Sequence, residues 1–227
     1  MAPAVHAPRR GRTQVERAAL SDARLTDAAV ALICERGAAG TTLKDVGLRA
    51  GYSRGLAGYR FGTKAGLWSF LVKTIGEEWR AELGRAVADT TGGLDTIFAA
   101  VDAHGHFLLE SSERIRAFYI LWFDSVGPDA ELKQVIANIH ERRRRDVEVW
   151  ILSGVETGTI RPDVDIRELA EQFCAAVIGI VYQWLVTPLA HDHVRALHEG
   201  LKQAMYLALS YEEPDADITQ SFQKGGA

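Results

Sequence analysis

Residues 41–67 read TTLKDVGLRAGYSRGLAGYRFGTKAGL, with six glycines and repeated hydroxyl side chains inside a chain whose apolar residues otherwise recur at helical spacing. Glycine ends helices because it adopts left-handed backbone without steric cost, and Ser or Thr starts them by accepting a hydrogen bond from an unpaired backbone N–H. Such dense punctuation leaves room only for short helices joined by sharp corners. Thr42 followed by Asp45 is a capping-box variant, and Leu43, Val46 and Ala50 give a short helix ended by Gly51. Ser53 is an N-cap for a further helix of about two turns ending near Phe61 and Gly62. Thr63 caps the next, in which Leu67, Phe70, Leu71, Ile75 and Trp79 form one stripe. Two short helices joined by a corner of three or four residues are a helix-turn-helix. The same stretch contains Gly51-Tyr52-Ser53-Arg54-Gly55, a match to the G-x-S-x-G elbow of serine hydrolases. That elbow needs a buried strand before the serine. Residues 41–50 instead have a period near four with Lys44, Asp45 and Arg49 interspersed, so an enzyme is not expected.

Upstream, Leu25, Ala28, Ala29, Leu32 and Ile33 mark a first helix that stops at Gly37. Downstream, helical patterns cover residues 94–110, 113–125, 129–157, 165–186 and 192–210, broken at Gly92-Gly93 and at Gly127-Pro128. No strand alternation or internal repeat appears, so the fold class is all-α with about nine helices.

Charge separates the chain into two parts. Residues 1–80 carry 13 Lys+Arg against 7 Asp+Glu, and residues 81–227 carry 13 against 23. A basic front on an acidic body suggests that only the first part meets a polyanion. Cys34 and Cys174 lie far apart without metal or redox spacing, each in an apolar helical pattern, and are expected as buried thiols in a reducing compartment. The N-terminus lacks the apolar core of a secretory signal, and the apolar run 173–185 is short and contains Gln183. A cytoplasmic protein without a membrane partner is the expectation. His104 and His106 are two apart on a helix and point away from each other, His191 with His193 lacks a third ligand, and no P-loop or dinucleotide fingerprint is present, so no metal and no cofactor are expected.

The combination Ala28-Ala29, Glu35-Arg36-Gly37, Thr41-Thr42-Leu43, Ala50-Gly51, Ser53-Arg54-Gly55 and Phe61-Gly62-Thr63-Lys64-Ala65-Gly66-Leu67, close to the N-terminus and before an all-helical body, resembles the DNA-binding domain of the TetR family of transcriptional regulators. The departure is Gly58, where the family has a tyrosine; here Tyr59 stands one position later. The resemblance implies a basic flexible tail over 1–20, a helix-turn-helix DNA-binding domain over 21–82, an effector-binding and dimerisation domain over 83–211 and a polar tail over 212–227. A recognition helix enters the major groove by its N-terminal turns. Arg54, Leu56 and Gly58 then approach base edges, Tyr59 and Arg60 flank phosphates, Thr42 and Lys64 at helix starts meet phosphates, and Gly55 belongs to the same DNA-binding set. Arg9, Arg10 and Arg12 are candidates for a neighbouring minor groove, with a solvated tail as the simpler reading.

In the body, residues 166–185 are apolar on nearly all faces and must be covered all round. With the family's use of its last two helices, this implies a four-helix homodimer interface from Leu169, Phe173, Val177, Gly179, Ile180, Trp184, Leu197, Leu201 and Met205. An excess of aromatic residues, Phe107, Phe118, Tyr119, Trp122, Phe123, Trp150, Phe173 and Tyr182, with His104 and His140 as polar handles, suggests a site for a small hydrophobic effector between helices. Arg142, Arg143, Arg144 and Arg145 cannot share one helical face; a solvated surface with a Glu141–Arg145 pair is favoured over a phosphate-bearing ligand. The expected function is that of a repressor: a homodimer on a palindromic double-stranded DNA operator, released by the effector. Control by a protein partner is the alternative.

Overall fold

A computed structural model describes residues 13–187 and 191–211; the arginines at 9, 10 and 12 and the tail from 212 lie outside them. The described residues form nine helices and no strand: α1 (Gln14–Arg36), α2 (Leu43–Arg49), α3 (Leu56–Phe61), α4 (Lys64–Ala86), α5 (Gly93–Glu110), α6 (Ser112–Asp124), α7 (Ala130–Glu156), α8 (Ile166–Val186) and α9 (His191–Leu209). The chain divides into two compact units, the first ending at Leu71 and the second beginning at Val72. The division between the compact units and the boundary expected at 82/83 both lie within α4, which runs unbroken through the two places.

In the first unit α1 packs on α2, and α2 on α3. Leu25, Ala29, Leu32 and Ile33 of α1, Val46 of α2, Ala57 of α3 and Leu67 and Leu71 of α4 are all almost fully buried. α1 starts earlier than its apolar stripe indicates. Thr13 and Glu16 form a reciprocal capping box, Glu16 N–H donating to Thr13 Oγ1 (3.2 Å) and Thr13 N–H to Glu16 Oε2 (2.7 Å). Residues 14–20 are thus helical, where a flexible tail was expected, although their side chains are mostly exposed.

In the second unit α5 packs on α7 and α9, and α8 on α7 and α9. The shared core includes Ile97, Val101, Val147, Ile151, Phe173, Val177, Ile180, Leu201 and Met205. α5 and α7 approach through glycine: a Cβ on Gly154 would stand 2.8 Å from the Gly93 Cα. By length and composition α8 is apolar enough to cross a bilayer, but one face of it belongs to this core.

Candidate nucleic-acid interface and ligand cavity

The corner between α2 and α3 is built by backbone hydrogen bonds. At the end of α2, Tyr52 N–H donates to Gly47 O (2.9 Å) and Gly51 N–H to Leu48 O (3.1 Å), a Schellman closure with Gly51 at φ +80°. Gly47 packs tightly against the corner: a Cβ there would lie 2.8 Å from Ser53 O and 3.9 Å from Ala57 N. Sequence reading passed over Gly47, because a glycine inside a helical pattern gives no sign of what lies against it.

At the front of α2, Thr42 Oγ1 accepts from Asp45 N–H (3.2 Å) and donates to Asp45 Oδ2 (2.8 Å). Ser53 does not cap α3. Gly55 holds the N-cap position without a side-chain bond, and the helix begins at Leu56, so it is shorter than expected. Thr63 does cap α4, accepting from Gly66 N–H (3.0 Å). What precedes Ser53 is the helix α2, so the G-x-S-x-G stretch is not a strand-turn-helix elbow.

Arg54, Gly55 and Tyr59 are exposed, Tyr59 at 91%, while Leu56 and Gly58 are half-buried. Arg54 makes no ion pair or hydrogen bond with any described residue. Two of the expected phosphate contacts are engaged within the protein. Arg60 forms a two-pronged pair with Asp22 of α1 (both 2.7 Å), which raises the guanidinium pKa further. Lys64 Nζ donates to Ala39 O (3.0 Å) and sits 5.7 Å from the Trp68 ring centroid. A second pair, Arg49 with Glu35, also ties α2 to α1. These pairs fix the angle of the short helices, a role that no spacing in the sequence announces.

The second unit contains a cavity of about 530 Å³, walled by α4, α5, α7 and α8. Of the aromatic and histidine candidates, His104, His140, Trp150 and Phe173 line it, together with Trp79, Arg80, Arg143, Asp146 and Cys174. Phe107, Phe118 and Tyr119 line a much smaller adjoining space, which shares Gly76, Trp79, His104 and Arg143 with the larger one. Trp122 stacks beside Phe118 and Tyr119 without reaching either space. Phe123 (41% exposed) and Tyr182 (52%) meet edge to face at 5.9 Å on the surface.

His104 is 7% exposed, and its Nδ1 lies 2.9 Å from His198 Nε2 on α9. The His198 Nδ1 lies 2.8 Å from Val194 O. A carbonyl can only accept, so His198 carries its proton on Nδ1, its Nε2 accepts, and His104 donates from Nδ1. His104 Nε2 is therefore a lone-pair acceptor. Burial first, then the neighbouring imidazole and Arg143, push the His104 pKa well below the usual histidine value, and burial lowers that of His198 as well. His198 was overlooked, although Val194, His198, Leu201 and Met205 share one helical stripe. Cys174 is buried and its thiol is pushed up to about 11 by burial; neither cysteine forms a disulfide. His106 pairs with Glu110 on the surface, away from His104. Among the described residues no three His, Cys, Asp or Glu side chains are grouped to hold a metal.

Of the expected dimer residues, Phe173, Val177, Ile180, Leu201 and Met205 are buried in the unit's own core, whereas Leu169, Gly179, Trp184 and Leu197 are half-exposed. An amphipathic pattern shows that a face is apolar but not what covers it. The outward faces of α8 and α9 instead present Ala175, Gly179, Tyr182, Val186, Gly200, Ala204 and Leu207, with Phe123 and Val126 alongside Tyr182 and Val186 among the exposed large apolar side chains. A Cβ on Gly179 or Gly200 would meet nothing within 4 Å.

Residues 25–69 match the family model described as bacterial regulatory proteins, tetR family. The chain is 32% identical over 159 residues to the HTH-type transcriptional regulator CymR of Pseudomonas putida, covering 68% of this chain and 75% of that protein. Among solved structures, SmeT, the repressor of the Stenotrophomonas maltophilia multidrug efflux pump SmeDEF, superposes with a TM-score of 0.70 at 22% identity, over 85% of this chain and 91% of that one. The fatty acid degradation regulator FadR from Bacillus halodurans gives 0.70 at 17% identity, over 82% and 94%.

Proposed function

The chain belongs to the TetR family of bacterial transcriptional regulators, and on that premise we propose that it is a repressor which binds a palindromic operator as a homodimer and releases it when a largely hydrophobic small molecule fills the cavity. The observation that carries this reading is the cavity itself: about 530 Å³, inside the range of small-molecule sites, in the same chain as a helix-turn-helix. SmeT, one of the structural neighbours, has been solved in complex with triclosan, which supports a small-molecule effector.

α3 is the recognition helix in this reading. Arg54 contacts a base edge, Tyr59 reaches the backbone beside it, and Gly55, Leu56 and Gly58 allow close approach to the groove. Arg60 and Lys64 act chiefly by holding the unit's geometry, because their charged ends already have protein partners. The dimer forms through the outward faces of α8 and α9, where Gly179 and Gly200 permit close helix packing and Tyr182, Val186 and Leu207 supply apolar area. Two-fold symmetry places the half-sites about 34–36 Å apart, or a multiple of that.

α4 supplies the coupling element: Leu67, Trp68 and Leu71 belong to the first unit's core, and Lys73 to Leu83 of the same helix contribute to the cavity wall. A ligand shifts the equilibrium only if it binds the DNA-releasing conformation better, and coupling of about 1–3 kcal/mol gives roughly 5- to 150-fold release. The test begins with selection of retained fragments from genomic DNA. The complex is then titrated with hydrophobic compounds, following operator retention and the fluorescence of Trp79 and Trp150 together. Retention of no fragment over bulk DNA, or release by no compound, refutes the proposal.

A further inference from the structure

The effector's polar chemistry is written into the cavity wall, and this step rests on the cavity being the effector site. Arg143 lines both the large and the adjoining space. Its guanidinium lies 5.2 Å from the Trp122 ring centroid and 5.8 Å from that of Phe118, with Nη1 donating to Tyr119 Oη at 3.3 Å. No carboxylate among the described residues pairs with it. Asp146, the half-buried acid on the same wall, has its pKa raised by burial, and the cations that offset this in part are Arg80 and Arg142, not Arg143. The wall carries four cationic side chains against three carboxylates, and Arg143 is the half-buried one left without a counter-ion. A cation in such a place is costly unless an anion joins it, and guanidinium matches a carboxylate with two parallel hydrogen bonds.

A second group points to the same ligand. His104 is more than nine-tenths buried, lines the cavity and spends its only N–H on His198, so Nε2 offers a lone pair with no protein donor among the described residues. Its fitting partner is a neutral hydroxyl or N–H. We propose that the effector is a carboxylic acid with an apolar, ring-bearing body, its carboxylate held by Arg143 and a hydroxyl on its body donating to His104 Nε2. Trp79, in edge contact with His104 at 5.6 Å, and Trp150 receive the apolar body.

The test uses the full-length protein and a panel of hydroxynaphthoic, naphthoic and partly reduced three-ring carboxylic acids with their methyl esters, read by tryptophan quenching and by release of the selected operator. Acids bind the wild type about tenfold to a hundredfold tighter than their esters, since hydrogen bonds to charged groups contribute about 1.5–3 kcal/mol. Arg143→Gln brings the acid-to-ester ratio close to one, and Arg143→Lys keeps part of it. His104→Phe leaves that ratio in place and removes the advantage of the hydroxylated acids over the plain ones. Circular dichroism and operator binding without ligand establish that each variant is folded. Esters binding as tightly as acids, or an acid preference that survives Arg143→Gln, overturn the assignment while leaving a ligand-responsive repressor intact. If no acid, ester or apolar library compound either quenches fluorescence or releases DNA, the cavity reading fails and this inference fails with it.

Discussion

Gly47→Ala and Gly58→Ala make the same chemical change on two adjacent short helices, and the structure assigns them opposite consequences. The built Cβ at Gly47 stands 2.8 Å from Ser53 O, well inside ordinary van der Waals contact, and both nearest atoms belong to the backbone of the corner. Relieving that overlap moves the segment that the Tyr52-to-Gly47 and Gly51-to-Leu48 bonds close. Overpacking of this kind costs about 1–3 kcal/mol, from which alanine's better helix propensity recovers about 1 kcal/mol. The net loss is about 0–2 kcal/mol. At Gly58 nothing lies within 4 Å of the built Cβ, so alanine gains about 0.5–1 kcal/mol. Hydrogen exchange of the α2 and α3 amides in the full chain reads both. At the upper limit Gly47→Ala speeds exchange about 30-fold, because each 1.4 kcal/mol is a factor of about ten, whereas Gly58→Ala slows it. Operator affinity separates the effects further. Gly47→Ala weakens binding by misplacing α3, and Gly58→Ala alters it with the fold intact, because the added methyl stands in open space on the helix proposed to read the groove. Protection in Gly47→Ala equal to or above that in Gly58→Ala would refute the close-approach argument.

Arg54→Ala should cost about 1–3 kcal/mol on the selected operator and relax preference at one base pair, measured by competition between single-base variants. Lys64→Ala, which frees the Ala39 carbonyl and removes one cation, should weaken all sequences alike and reduce the salt slope by no more than about one. Gly179→Trp fills the open outer face of α8 and should convert a dimer into a monomer by light scattering; a wild-type mass of one subunit at micromolar concentration defeats the dimer proposal. The His104–His198 pair predicts acid sensitivity: with both folded pKa values lowered, the unfolded state binds more protons below about pH 6.5, so stability is full above that pH and lost as pH falls toward the folded values. The slope reaches at most about 2.7 kcal/mol per pH unit for two protons, and urea midpoints that do not change between about pH 7 and about pH 5 contradict it.

Several helix boundaries beyond residue 90 were legible because they have local causes. Gly92-Gly93 and Gly127-Pro128 stop the pattern, and Asp129 and Asp165 cap the helices that follow, accepting from Leu132 N–H and Glu168 N–H. α1 was misjudged at its start, since the stripe from Leu25 onward is a tertiary signal and the Thr13–Glu16 box a purely local one. α3 was placed too early for a related reason. Ser53 is a good cap in isolation, but its carbonyl takes the Leu56 N–H in a turn, and the corner around Gly47 fixes where helical geometry can resume.

The candidate site was legible in its residue types and not in their partition. Helical period shows that Trp122 and Trp150 are inward, yet inward means packed core for the first and cavity wall for the second. The same limit applies to the arginine run. Its four members do diverge, as the angle of about 100° per residue requires. Arg145 pairs with Glu141 at 2.7 Å as expected, and Arg144 reaches Glu148 and Glu171. Arg142 and Arg143 face the cavity instead of solvent alone. What distinguishes Arg143 from its neighbours is the absence of a carboxylate beside it and the presence of two aromatic rings, both contributed by α6 across a long sequence separation. Charge in the chain can be counted from sequence, but whether a charge is answered depends on contacts between helices. That unanswered cation, next to an imidazole whose only proton is committed to another helix, turns a generic apolar cavity into one with a chemical preference.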